Sequence, residues 1–111
     1  MYVMVKLTVL YPQNTNSHFD MRYYLDKHIP MVKERLAPLG LVRVEVEEGM
    51  AGVTPDSPTT YSMIGRLNFN SLEELHIALE VYGEEFIRDM SNFTDVQPQM
   101  QISQELISTP C

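Results

Sequence analysis

Three histidines, His18, His28 and His76, hold most of this sequence's capacity for proton transfer near neutrality. An imidazole titrates near pH 6.5 and so can take up and return a proton at the pH of most cells. His28 differs from the other two in its surroundings. It follows Tyr24 by four residues, the spacing that brings side chains together on a helix, and precedes Pro30 by two. An imidazole beside a phenol is a usable proton-transfer pair. A buried imidazole bonded to a backbone carbonyl left free by Pro30 accounts for the same position. His18 falls in a polar turn, and His76 lies one position off an apolar helical stripe, so both read as solvated or boundary residues.

Other chemistries find less support. The histidines form no H-x-H or H-x-x-x-H pair and the single cysteine is Cys111, so no metal site is expected. One thiol makes no internal disulfide, and Cys111 after Thr109-Pro110 reads as exposed. There is no G-x-S-x-G sequence, and Gly49-x-x-Gly52 lacks the strand–turn–helix setting of a phosphate loop. Glu73, Glu74, Glu80, Glu84 and Glu85 read as the solvated side of a helix. The eight methionines read mainly as core filling, although they also suit a soft, adaptable pocket.

These residues must be positioned by 111 residues of chain, the length of one domain, and residues 1–111 are read as one. The composition is 44% hydrophobic and 21% charged, ordinary for a chain with a packed core. With 8 Lys+Arg against 15 Asp+Glu the formal charge is −7, and no basic run occurs. Binding to nucleic acid or anionic lipid needs a basic surface, so neither partner is expected. No stretch approaches the roughly 18 apolar residues of a membrane span. The start Tyr2-Val3-Met4-Val5, interrupted by Lys6, reads as strand and not as a signal peptide, which makes the cytoplasm the expected compartment.

Residues 2–11 are apolar and β-branched on both faces, as in a central strand, and Pro12 to Ser17 form the turn that ends it. Phe19 to Leu39 reads as helix capped by Asp20, with a kink or break expected at His28-Ile29 because Pro30 cannot donate to the carbonyl of Asp26. Pro38 and Gly40 close it. In residues 41–48, Val42, Val44 and Val46 alternate with Arg43, Glu45 and Glu47, a half-buried strand. A long loop runs from Gly49 to Thr59, and a third strand follows from Tyr61 to Phe69. Ser71-x-x-Glu74 is a capping box, and Leu72, Leu75, Leu79, Tyr82 and Phe86 form the apolar stripe of a helix ending near Met90. Val96 to Leu106 reads as the last strand.

The order β-α-β-β-α-β predicts an α+β, ferredoxin-like fold, with a four-stranded antiparallel sheet and two helices on one face. The other face would carry Lys6, Thr8, Arg43, Glu45, Ile64, Arg66, Gln99 and Gln101, too apolar at its centre for water and too charged for a dry core. A second copy of the sheet is the simplest cover, so a homodimer through this face is expected.

The sequence resembles the EthD family, small proteins named for ethyl tert-butyl ether degradation, within the dimeric α/β-barrel superfamily. The resemblance is carried by Leu10-Tyr11-Pro12, Phe19-Asp20-Met21 and Tyr23-Tyr24-x-x-x-His28-x-Pro30. Further matches are Gly49-x-x-Gly52 with Pro55, Ser57-Pro58 and Tyr61, then Asn70-Ser71, and finally Asn92-Phe93-Thr94-Asp95-x-x-Pro98-x-x-Gln101-Ile102-Ser103. The resemblance implies a dimeric α/β barrel with a cleft between helices and sheet into which His28 points. It implies no settled reaction for the family, although related folds include cofactor-independent oxygenases, polyketide cyclases and lactone isomerases.

Two functional readings follow. In the first, the protein is an enzyme without cofactor, an isomerase, cyclase or dehydratase acting on a small apolar, oxygen-bearing molecule. His28 would be the acid or base, Tyr24 would position it or stabilise charge, and Tyr11, Tyr23, Asn92, Phe93 and Thr94 would contact the substrate. In the second, the protein binds or delivers a hydrophobic metabolite without changing it, and His28 only orients the guest. A purely structural dimer is also open, with the pocket filled by Tyr11, Tyr24, Met90 and Phe93.

Overall fold

A computed structural model of the chain describes residues 4–111. The strands are β1 (Val5–Pro12), β2 (Leu41–Glu48), β3 (Tyr61–Phe69) and β4 (Gln99–Gln104). They form one sheet in the order β2-β3-β1-β4, antiparallel throughout. The helices are α1 (Met21–Tyr23), a π-helical turn (Tyr24–His28) and α2 (Ile29–Leu36) in succession, and then α3 (Leu72–Met90). This is the ferredoxin-like α+β arrangement.

Alternation puts Val5, Leu7 and Val9 of β1 on the same face as Leu67 and Phe69 of β3, and that face meets the helices. Leu7, Leu67 and Phe69 are buried there with Val32 and Leu36 of α2 and Leu75, Ala78 and Phe86 of α3. A second, aromatic cluster of Tyr11, Tyr24, Met63 and Phe93 packs beside it. The start of α3 is set by Ser71, whose hydroxyl accepts from the Glu74 N–H at 3.1 Å. The first helical stretch ends in a 3₁₀ turn (Ala37–Leu39), followed by Gly40 at φ +104°.

Four local expectations need correction. The helix does not break at His28-Ile29. The Ile29 N–H bonds the Tyr24 carbonyl five residues back, so a wide π turn runs directly into α2 and absorbs the register in which Pro30 has no N–H to give. Val42 does not join Val44 and Val46 on the core face. A register shift between Leu41 and Arg43 bulges it out, leaving it exposed while Leu41 packs on the core. The last strand is shorter than residues 96–106, because Pro98 has no N–H for the ladder and the Val96 N–H is taken by Thr94 Oγ1 at 3.1 Å. The first strand extends to Pro12, and Tyr2 and Val3 lie outside the described residues.

Candidate active site

The π turn sets the orientation of the two side chains singled out by spacing. Across this turn the rings of Tyr24 and His28 stack, with centroids 5.8 Å apart and planes 16° from parallel. Both point inward, Tyr24 2% and His28 4% exposed. The turn is anchored at its start by Asp20, which accepts from the Tyr23 N–H at 3.0 Å. Residues 92–95 are tied to the same place. The Asp20 N–H bonds the Phe93 carbonyl at 2.6 Å, Phe19 bridges to Thr94, and Thr94 Oγ1 donates to the His18 carbonyl at 2.8 Å.

His28 Nδ1 lies 2.8 Å from Oδ2 of Asp89, near the C-terminal end of α3. Oδ1 of the same carboxylate accepts from the Tyr23 hydroxyl at 2.8 Å and from Asn92 Nδ2 at 3.0 Å. An acid in the last turn of a helix opposes the helix dipole. Here three donors compensate it. Burial pushes the Asp89 carboxyl up, but the bonds from His28, Asn92 and Tyr23 outweigh that and hold it below the usual aspartate range.

For His28 the balance runs the other way. Burial lowers its pKa more than the Asp89 carboxylate raises it, so the ring is neutral at pH 7. A neutral ring facing a carboxylate through Nδ1 carries its proton there and leaves Nε2 as an unprotonated acceptor. Nε2 has no hydrogen-bond partner among the described residues, and neither do the hydroxyls of Tyr24 and Tyr11. Burial pushes the Tyr24 phenol up to about 12 and the Tyr11 phenol well above its ordinary value, so both stay protonated donors.

These three residues form one wall of a cavity of about 90 Å³ between helices and sheet. The remainder of the lining is mostly apolar, with Leu7, Val9, Val32, Val44, Leu67, Leu79 and Phe86, and Ile87, Met90 and Met100 at one side; Arg66 of β3 is its one charged member. Ile87, Met90 and Met100 also border an open groove under residues 94–98.

The structure brings together His28, Tyr24 and Tyr11 on the cavity and separates the other candidates from it. Tyr23 and Asn92 direct their polar groups at the Asp89 carboxylate and do not line the cavity. Phe93 is fully buried against Tyr24 and His28, with ring centroids 5.1 and 4.7 Å away, and backs the wall without lining it. Thr94 borders the outer groove, its hydroxyl bonded within the chain. His18 and His76 are exposed. Among the described residues no three side chains are grouped to hold a metal ion, and no helix is long and apolar enough to cross a membrane.

Asp89 is the residue that sequence reasoning missed. Glu73, Glu74, Glu80, Glu84 and Glu85 read as a solvated face and Asp89 is not singled out; the signal that could have found it is an acid in the last turn of a helix, where it opposes the dipole.

The order of strands and the one-sided helices define a ferredoxin-like α+β fold, one this chain shares with a cofactor-independent oxygenase. SnoaB from Streptomyces nogalater, described as such an oxygenase, matches with a TM-score of 0.59 over 99% of this chain and 97% of its own, at 9% identity. No protein-family model and no curated protein sequence matches this chain. An EthD-like protein from Ralstonia eutropha JMP134 is 35% identical, with a TM-score of 0.85 covering 93% of this chain and 92% of that one. The chain belongs to the EthD family. A second family protein, from Bacillus halodurans C-125, matches at 20% identity and TM-score 0.64, over 93% of this chain and 99% of its own.

Proposed function

We propose that this protein catalyses proton transfer next to a carbonyl in a small apolar molecule, with His28 as base and without a cofactor. The observation that carries this reading is the His28–Asp89 bond of 2.8 Å on a ring whose other nitrogen is unpartnered beside an aliphatic cavity. Asp89 fixes the tautomer and stabilises the imidazolium as it forms. Tyr24, and Tyr11 beside it, donate to the carbonyl oxygen as charge builds on it. The proton taken from the carbon adjacent to the carbonyl rests on Nε2 and returns at another position, or leaves with a hydroxyl as water. Isomerisation, cyclisation and dehydration are all sequences of such steps.

The test needs no knowledge of the natural substrate. Small ketones and lactones incubated in D2O with the protein should exchange hydrogen next to the carbonyl faster than without it, read by proton NMR. His28→Ala should lose the acceleration and keep the fold. Full exchange in that variant removes the proposal, and saturable binding with no exchange by the wild type supports the alternative of a binding or delivery protein.

In the same reading residues 1–111 form one domain that works as a homodimer in the cytoplasm. The outer sheet face supports the dimer. It carries the pairs Arg66–Glu47 at 2.9 Å and Arg43–Glu45 at 3.4 Å around Thr8, Leu10 and Ile64. Sedimentation of the purified chain measures the dimer directly.

A further inference from the structure

Two glycines face the cavity, Gly65 from β3 and Gly83 from α3, and they are glycine for different reasons. A Cβ at Gly65 would stand 2.7 Å from the Tyr24 hydroxyl oxygen, so that position is fixed by the close approach of a side chain already in the site. Gly83 has no such reason. Its backbone is ordinary helix, with no positive φ, in the interior of the 19-residue α3. A Cβ there would meet only Leu79 Cβ, at 3.8 Å, which is ordinary contact. Glycine is the weakest helix former after proline, so the chain gives up helix stability at Gly83 with neither conformation nor packing requiring it.

What Gly83 provides is space. Leu79, Gly83 and Ile87 form one row along α3 at intervals of four, all on the cavity, and the gap in the middle of that row is the missing side chain. At about 90 Å³ the cavity is small enough that even a methyl group is felt. The His28 ring and the Tyr24 phenol, both more than nine-tenths buried, line the same space.

We infer that Gly83 is the specificity-determining position of this cavity: its bare helix surface admits the apolar body of the guest, and any larger residue there restricts the site to smaller guests. The guest class is a compact ring or branched alkyl bearing one oxygen, the oxygen towards His28 and Tyr24 and the body against Gly83. This rests on the cavity being a guest site, as proposed above, but not on the proton-transfer chemistry.

Xenon separates the two. It enters apolar cavities without any reaction, and its uptake is read from the NMR shifts of cavity methyl groups such as those of Val9 and Leu79. The wild type should take up xenon, Gly83→Ala should bind it several-fold more weakly, and Gly83→Leu should exclude it. Gly83→Ala should also raise the melting temperature by about 4 °C, since a helix gains alanine at no steric cost. For organic probes, Gly83→Ala should weaken cyclohexanone relative to acetone by about tenfold. A wild type that excludes xenon overturns the inference. So does a lowered melting temperature in Gly83→Ala, which would assign the glycine to packing, or undiminished xenon uptake in either variant. If ketone exchange fails while these results hold, the chemistry is wrong and the size limit stands.

Discussion

Replacing Asp89 by asparagine tests the centre of the proposed mechanism. The side chain keeps its size, and its oxygen can still accept from the Tyr23 hydroxyl, now 2.8 Å away. The other terminal atom becomes an amide nitrogen facing His28 Nδ1, where an oxygen stood at 2.8 Å. Two N–H groups cannot share that contact. The imidazole therefore moves its proton to Nε2 and accepts at Nδ1, which removes the lone pair from the cavity. Hydrogen bonds to a charged partner contribute about 1.5–3 kcal/mol, and the Asp89 side chain is only 16% exposed, so solvent screens little of this. The expected loss in stability is about 1–3 kcal/mol, measured by urea unfolding. The expected loss in any His28-dependent rate is about 10²–10⁴-fold, the full contribution of general base catalysis. Without the carboxylate, burial acts unopposed and the His28 pKa falls further. The tautomer is read from nitrogen-15 shifts of the ring at pH 7. Wild-type protein with Nε2 protonated, or Asp89→Asn with Nε2 still bare, would refute the reasoning.

The remaining predictions are more local. His28 has a folded pKa below its ordinary 6.5, so the unfolded chain binds the extra proton first. Stability should fall as pH drops below 6.5 and flatten once the lower folded value is passed, and His28→Gln should remove that slope in unfolding measured against pH. Asp89 is also depressed, from 3.8, and its contribution should persist above that value and disappear as pH falls further. Ser71→Ala removes the cap on α3 and should cost about 1 kcal/mol in urea unfolding with no change in ketone exchange. Gly65→Ala drives a methyl group at the Tyr24 hydroxyl and should cost about 1–3 kcal/mol, while ring shifts report a displaced Tyr24.

The fold was legible because its signals are local and redundant. Alternation in 41–48 and 61–69, the Ser71-x-x-Glu74 box and the stripe from Leu75 to Phe86 each name an element on their own, and their order leaves little choice of topology. The errors fall where one residue can be absorbed in two ways. Pro30 predicts a break in any helix whose hydrogen bonds stay in α register, and only the packing of Tyr24 and His28 into the core chooses the wide turn. Val42 satisfies strict alternation, but a bulge that lets Leu41 reach Phe69 displaces it.

The site divides in the same way. The spacing of Tyr24 and His28 and the presence of Pro30 are properties of fewer than ten consecutive residues, and those determined that a histidine and a phenol would lie side by side. The tertiary structure decided everything that gives the ring a direction. Asp89 is 61 residues from His28 in sequence, and Asn92 is 69 from Tyr23, so no local pattern couples them. A hydrogen bond across such a distance exists only once two helices pack. The empty space beside the imidazole belongs to no single element, because it is bounded by residues of β1, β2, β3, α3 and the turn before α2 together. Volume, unlike helix periodicity, is written only in the assembled fold.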